Sequence, residues 1–286
     1  MRQTTRIWLM LLPALTVIVA LFLGGLLLGL LQSLSYLPFI GQNDFNFDAY
    51  IRIFQKKSFI NSFLFTLRIA VIATLLSTVL AIILAMVLRH TFAGKRVMTF
   101  ILQLNLPIPH IVGAVALVLL LSQSGLFARL AAMLGLINEP SQFPVLVFDE
   151  WGIGIIAEYV WKETPFIGVI LLAVLQTIGF EYEELARSLG ANRWQRFRHV
   201  LLPLMMPGIL SSSVLVFAFS FGSFEIPYLL GIRYPRALPV LAYESYSAAD
   251  LNERAAAMAM SMVIAVMITV LVYIYMRLSY RYLRTE

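Results

Sequence analysis

The sequence predicts an all-α integral membrane protein with six transmembrane helices, and three observations carry that prediction. Of 286 residues, 60% are apolar and 13% charged, whereas soluble domains usually hold an apolar share below half and a charged share near a quarter. Six separated stretches run without a full charge, at Ile7–Asn43, Ile69–Leu88, Val97–Ala128, Thr164–Phe180, His199–Phe224 and Ala255–Met276, and one crossing takes ~20 residues. None alternates apolar and polar residues in the ~10-residue segments of a membrane β-barrel. The mean hydropathy of +0.87 excludes a water-soluble domain, and the 13% aromatic content excludes an intrinsically disordered chain.

The first apolar run follows Arg2 and Arg6 and continues unbroken through Leu31. That exceeds the ~7–15 residues of a secretory signal core, so it reads as a permanent helix; Gly25 and Gly29 give it a small-residue packing face. In the third stretch, Pro107 and Pro109 read as a kink near the inner end of the helix. The fourth has only 17 charge-free residues. It becomes a comfortable crossing if its helix starts near Trp151 and carries Glu158, Lys162 and Glu163 in its outer third.

The outer connections are Gln32–Asn61, aromatic and turn-rich; Ser122–Glu150, with an interfacial or re-entrant helix expected at Leu126–Leu136 and a solvated loop end at Asp149 and Glu150; and Gly222–Arg254. Inside, Arg89–Arg96 is short and Gly179–Arg198 long and charged. No linker marks a second soluble domain.

Basic residues set the orientation. With the N-terminus inside, the inner segments carry twelve, Arg2, Arg6, Arg89, Lys95, Arg96, Arg187, Arg193, Arg196, Arg198, Arg277, Arg281 and Arg284, against seven outside, Arg52, Lys56, Lys57, Arg129, Arg233, Arg236 and Arg254. This bias predicts both termini in the cytoplasm. The net charge of +6 is then topogenic, and no nucleic-acid partner is implied. Zero cysteines exclude disulfides and thiolate chemistry. His90, His110 and His199 form no His-Glu-x-x-His pattern, so no metal site is expected.

The inner segment from Glu181 to Pro203 is the most structured polar sequence. Glu181, Glu183 and Glu184 open a helix where negative charge is favoured, and Gly190 is a left-handed stop. Asn192 with Gln195 three residues on reads as a capping box starting a second short helix, with Trp194, Phe197 and Leu201 along one side. Pro203 suits the first turn of the next membrane helix. Such a segment could rest on lipid headgroups, but an acidic helix followed by a basic one fits a soluble docking partner better, since a lipid-binding helix is basic throughout.

Two further sites stand open to two readings. Glu158 and Lys162 are spaced i, i+4, as an ion pair would be, or as groups on an interior path. Glu225, with Phe219, Phe221 and Tyr228 nearby, is either a carboxylate at an aromatic-packed outer gate or an attractor for a cationic solute.

At the inner segment the sequence resembles the permease subunits of bacterial binding-protein-dependent type I ABC importers. Their motif, Glu-Ala-Ala, three residues, Gly, nine residues, Ile, one residue, Leu-Pro, is matched by Glu184, Leu185, Ala186, Gly190, Val200, Leu202 and Pro203. Leu185 and Val200 depart from it and keep their positions apolar. The resemblance extends from Asn61 to Arg277, through Pro107-Ile108-Pro109, Trp161–Pro165 and Phe221–Glu225. It implies the MetI-like permease fold, with residues 1–60 as first helix and outer segment, and 61–286 as a five-helix core whose inner loop, 179–200, docks a separate ATPase through Glu183, Glu184, Leu185, Ala186, Gly190, Ala191, Val200, Leu202 and Pro203.

The resemblance further implies an ATP-binding subunit dimer, a second permease subunit forming a heterodimer, and a periplasmic or lipid-anchored solute-binding protein, all at the bacterial inner membrane. No cofactor is bound by this chain; ATP and magnesium belong to the ATPase. The residues agree, because no Gly-x-x-x-x-Gly-Lys-Ser/Thr occurs and Gly94-Lys95-Arg96 lacks the rest of it. A solute path would use Glu158, Trp161, Phe219, Glu225 and Tyr228. Similarity points to the polyamine, ferric ion, thiamine and phosphonate branch, with spermidine or putrescine favoured by Glu225 and the aromatics from Phe224 to Tyr243. A secondary transporter or channel, and a membrane enzyme, are the rival classes; the inner motif argues against the first and the lack of a reactive cluster against the second.

Overall fold

The computed structural model describes residues 3–283, with side chains over 7–277. Arg2 and Arg284, and the side chains of Arg6 and Arg281, lie outside the described residues. The helices run α1 Gln3–Ser33, α2 Asp48–Gln55, α3 Lys57–Leu88, α4 Lys95–Leu104, α5 His110–Leu121, α6 Leu126–Met133, α7 Ile153–Ile178, α8 Glu181–Ser188, α9 Arg193–Arg196, α10 Leu202–Gly222, α11 Glu225–Leu230, α12 Leu238–Tyr246 and α13 Glu253–Leu283. A π turn at Phe197–Leu201 joins α9 to α10. Among the described residues, extended pairing is limited to an isolated bridge between Leu37 and Gln42.

Among the described residues, five helical runs are long and apolar enough to cross a membrane: Ile7–Ser33, Lys57–Leu88, His110–Met133, Arg193–Gly222 and Glu253–Arg277. The sixth is α7, bent by 64° against α8. Its 26 residues begin at Ile153, after Gly152 in the left-handed conformation. That start lies close to Trp151, and the length takes in Glu158, Lys162 and Glu163.

Three local expectations change. Pro107 and Pro109 end a helix rather than kink it: α4 stops at Leu104 and α5 begins at His110 behind an extended Pro109. Each proline lacks an N–H and pushes its predecessor out of the helical region, so two of them close together break the run. The stretch from Leu126 follows α5 after a turn closed by Gly125 N–H on the Ser122 carbonyl at 2.7 Å, and belongs to the 24-residue run His110–Met133 instead of a separate interfacial helix. Asp149 is not a solvated loop end. It is buried, and its carboxylate accepts the backbone N–H groups of Trp151 and Ile153 at 2.9–3.0 Å, satisfying donors at the start of α7 that no helical carbonyl can reach.

The chain divides into two compact units, residues up to Ile60 with Leu238–Val266, and Asn61–Ala237 with the residues from Met267 on. In the first, Lys56 pairs with Glu253 at 3.3 Å and Gln42 donates to Asn252 at 2.9 Å. A Cβ on Gly29 would meet Met262 at 3.2 Å, while one on Gly25 would meet nothing within 4 Å, so among the described residues only Gly29 of the expected pair has a packing partner. In the second, Ala81 and Ala85 of α3, Ile167, Leu171 and Leu175 of α7, Leu201 of the π turn, and Met205, Ile209 and Val216 of α10 form one buried cluster. Alanines on α3 let the larger side chains of its neighbours close the gap.

Candidate functional site

The inner loop forms around two backbone devices. At the end of α8, Gly190 adopts φ +86, its N–H bonds the Arg187 carbonyl at 3.0 Å, and the Ala191 N–H bonds the Ala186 carbonyl at 3.0 Å. This is the paired closure that terminates a helix at a left-handed residue. Nothing lies within 4 Å of a Cβ built on Gly190, so backbone conformation, not space, makes glycine the fitting residue. Immediately after, Asn192 Oδ1 accepts the Gln195 N–H at 2.9 Å and Gln195 Oε1 accepts the Asn192 N–H at 2.8 Å, the capping box legible in the sequence.

The segment beyond the cap does not stand apart as a second short helix. The run continues through α9 and the π turn into α10 as one 30-residue span, Arg193–Gly222. Pro203 explains the π turn: it has no N–H for the His199 carbonyl and its ring crowds that position. The ladder slips one residue just before it, with Leu202 N–H bonding the Phe197 carbonyl, a known response to such a conflict. Trp194 and Phe197 pack at 5.5 Å between centroids.

The motif residues divide by exposure. Glu184 and Leu185 face outward, Leu185 62% exposed, with Tyr182 and Leu189 exposed beside them. Glu183 faces inward: its carboxylate lies 2.8 Å from the Arg89 guanidinium and 3.7 Å from that of Arg196. Ala186, Ala191, Val200 and Leu202 are half-buried, and Pro203 is exposed. A cavity of ≈ 510 Å³ lies against the loop, lined by Met86, His90, Phe180, Glu183, Glu184, Arg187, Arg193, Arg196 and Leu201. Arg89 and Phe180 are parts of this site that charge counting along the sequence missed; it treated Arg89 only as an orientation signal.

The second polar assembly lies where α4, α5, α7 and α10 meet. Pro109 cannot donate to the Asn105 carbonyl, and Pro165, inside α7, cannot donate to that of Trp161. Each freed carbonyl is taken by a side chain from the other segment: Lys162 Nζ donates to Asn105 O at 2.6 Å, and Asn105 Nδ2 donates to Trp161 O at 2.6 Å. Lys162 also donates to the Leu106 and Ile108 carbonyls, and so caps the broken end of α4. The expected Glu158–Lys162 pair is therefore corrected. Backbone carbonyls take the ammonium, and Glu158, wholly buried, instead faces His110 Nδ1 at 3.4 Å, with Glu163 3.9 Å from Nε2.

The His110 and Phe219 rings lie tilted to each other at 4.6 Å, and Tyr159 meets Phe219 edge-on at 6.3 Å. A Cβ on Gly113 would stand 2.7 Å from the Trp161 ring and 3.2 Å from Glu158 Oε1. Glu158 and Phe219 are thus gathered around His110, with the Trp161 ring beside Gly113 of the same helix. Glu225 and Tyr228 lie on α11, with Glu225 exposed and the Phe224 and Tyr228 rings stacked at 5.0 Å. Among the described residues no cluster of three or more His, Cys, Asp or Glu side chains is placed to hold a metal ion. The sequence signal for this assembly was a proline four residues after Asn105 and another four after Trp161; the donors that answer them are not deducible from spacing.

Known proteins share this architecture. A permease of the trehalose/maltose transport system from Thermococcus litoralis is 26% identical over 258 residues, covering 85% of this chain and 84% of its own. The sulfate transport system permease of Salmonella typhimurium is 32% identical over 136 residues, 48% of this chain and 46% of its own. The molybdenum transport permease of Escherichia coli is 30% identical over 138 residues, 48% and 56%. Among solved structures, a bacterial alginate ABC transporter with its periplasmic protein superposes with TM-score 0.81 at 21% identity, covering 98% of this chain and 96% of that one. At that identity it shows the fold alone, an all-helical one. Residues 77–285 match the family described as the binding-protein-dependent transport system inner membrane component, and by that match over most of its length the chain belongs to this family of ABC importer permeases.

Proposed function

We propose that this chain forms one half of an ATP-driven import pathway and receives its drive from a separate ATPase through α8 and the bend at Gly190. The observation that carries this reading is continuity. The exposed face of α8, with Glu184, Leu185 and Leu189, connects through Gly190 and a capping box to a single helix of crossing length, so a push on α8 is delivered to a membrane span. Glu184 meets the ATPase surface, and the apolar side chains beside it fill a groove there, as aromatic and aliphatic anchors do at protein interfaces. A second permease subunit completes the pathway as a heterodimer, a binding protein delivers solute from outside, and both termini face the cytoplasm.

For the solute we propose a small carbohydrate. The trehalose/maltose relative matches along most of both chains, and exposed rings at Trp161, Phe219 and Tyr228 offer flat apolar faces of the kind sugars stack on. A polyamine is the second reading, favoured by Glu225 in the first turn of α11; against it, the nearby Phe224 and Tyr228 rings stack on each other rather than framing an ammonium group.

The deciding experiment reconstitutes the chain with its co-purifying subunits and binding protein in proteoliposomes. Uptake of labelled maltose or trehalose that requires internal ATP supports both proposals. Uptake of spermidine alone replaces the carbohydrate reading, and uptake indifferent to ATP overturns the importer reading in favour of a secondary transporter or channel.

A further inference from the structure

Arg89 stands one residue past the end of α3, where a topogenic arginine needs only to face headgroups, yet its side chain is 3% exposed. Its guanidinium is used in three directions. Nη1 lies 2.8 Å from Glu183, Nη2 donates to the Gly179 carbonyl at 2.9 Å, and the plane lies over the Phe180 ring at 4.5 Å. Gly179 closes α7, Phe180 opens α8, and Glu183 sits in the first turn of α8. One side chain just beyond α3 therefore grips both sides of the 64° bend between α7 and α8. Arg196 approaches Glu183 at 3.7 Å and ties the same carboxylate to α9.

Burying a guanidinium is unfavourable unless it is fully paired, so orientation alone does not account for this placement. The planar fork explains why arginine stands here. A lysine ammonium could supply the charge beside Glu183, but it has no planar face to lay on the Phe180 ring while donating to the Gly179 carbonyl. Apart from these side chains, α8 is joined to its neighbours through Gly179 at φ +70 and Gly190 at φ +86, both in open surroundings, two positions where the chain can swivel.

We infer that Arg89 is a positioning residue that locks α8 to α3, so that displacement of the ATPase-facing helix moves the α3–α7–α10 core as one body. The inference rests on the proposed role of α8. Without Arg89, α8 keeps its glycine joints, Arg196 and its packing against α9 and the π turn, and ATP is hydrolysed without moving the core to the same extent.

The test uses the assembled transporter in proteoliposomes with Arg89→Ala, Arg89→Lys and Glu183→Gln, reading solute moved per ATP hydrolysed and the amount of ATPase that co-purifies. With Arg89→Ala the ATPase still co-purifies, and solute per ATP falls roughly tenfold, within the usual range of coupling between sites. Arg89→Lys recovers part of the loss, and Glu183→Gln falls less because the Gly179 and Phe180 contacts remain. A residue serving folding alone would lower the amount assembled and leave solute per ATP at the wild-type value, and that result overturns the inference. If Arg89→Ala does not assemble, the Lys and Gln variants decide it by the same ratio. Wild-type uptake by Gly190→Asp would instead strike the coupling role of α8 itself, so the two failures are distinguishable.

Discussion

The Gly190 bend of the inner loop and the polar assembly around α7 satisfy their backbones by opposite means. In the loop, the closure at Gly190 and the cap between Asn192 and Gln195 draw on partners within a few residues along the chain. Around α7, the carbonyls freed by Pro109 and Pro165 are met by Lys162 and Asn105 from 57 and 56 positions away. Water at an exposed loop can serve whatever a local motif leaves over. At membrane depth no solvent donor is at hand, so a carbonyl released by proline must find a protein donor, wherever in the sequence it comes from. The comparison separates a region where substitutions should disturb function from one where they should disturb stability.

The largest effect is expected in the loop. Gly190→Asp places a side chain at φ +86 and redirects the chain entering the crossing; uptake is lost while the protein remains in the membrane fraction, read by transport in vesicles beside immunoblotting. Glu184→Lys gives the same pattern by reversing charge on the exposed face. If both variants transport normally, the functional half of the comparison breaks.

Next comes the assembly around α7. Lys162→Ala leaves the Leu106 and Ile108 carbonyls without their donor, leaves the Asn105 carbonyl with the Ile108 N–H alone, and removes the cation beside Glu158 and Glu163, a loss of about 3 kcal/mol or more. It is read as a lower unfolding temperature in detergent. An unfolding temperature equal to wild type would show that other groups or water satisfy those carbonyls. Gly113→Ala comes after it at ~1–3 kcal/mol, since its methyl group would press on Trp161 and Glu158 in a packed site; a neutral result would mean the Trp161 ring swings away freely.

The smallest effect is assigned to Asn192→Ala, which removes one cap bond at the surface and lowers stability by about 1 kcal/mol. Hydrogen exchange should localise the change to α9 and the π turn, with uptake reduced less than by Gly190→Asp. If Asn192→Ala proves as damaging as Gly190→Asp, the cap itself carries the coupling and the bend does not.

Legibility tracked the range of the interactions. Six apolar stretches, the start of the fourth crossing near Trp151, the left-handed end at Gly190 and the Asn192–Gln195 box were readable because each is decided by hydropathy or by neighbours within a turn. The i, i+4 spacing of Glu158 and Lys162 invited a local pairing that the structure does not make: carbonyls at a helix break offered the ammonium several short bonds at once, and His110 was available to Glu158. Asp149 was misjudged for the same reason, because a carboxylate in a loop looks solvated until the helix start it caps is placed over it. Arg89 was counted as one charge among twelve, since nothing in its neighbourhood along the chain announces Glu183 or Gly179.

By itself, then, the sequence determined that the protein lives in a membrane, how many times it can cross, and which polar segment connects it to an ATPase-driven family. Hydropathy and short-range backbone chemistry are properties of contiguous residues, and so they survive being read in one dimension. Tertiary structure alone decided which donors repair the proline breaks, that the second helix of the loop is the inner end of a crossing, and that Arg89 holds the bend between α7 and α8. The proline repairs and the Arg89 contacts depend on groups about 55 to 95 residues apart, which only the folded chain brings together, and the continuity of α9 with α10 turns on the slip of the ladder ahead of Pro203.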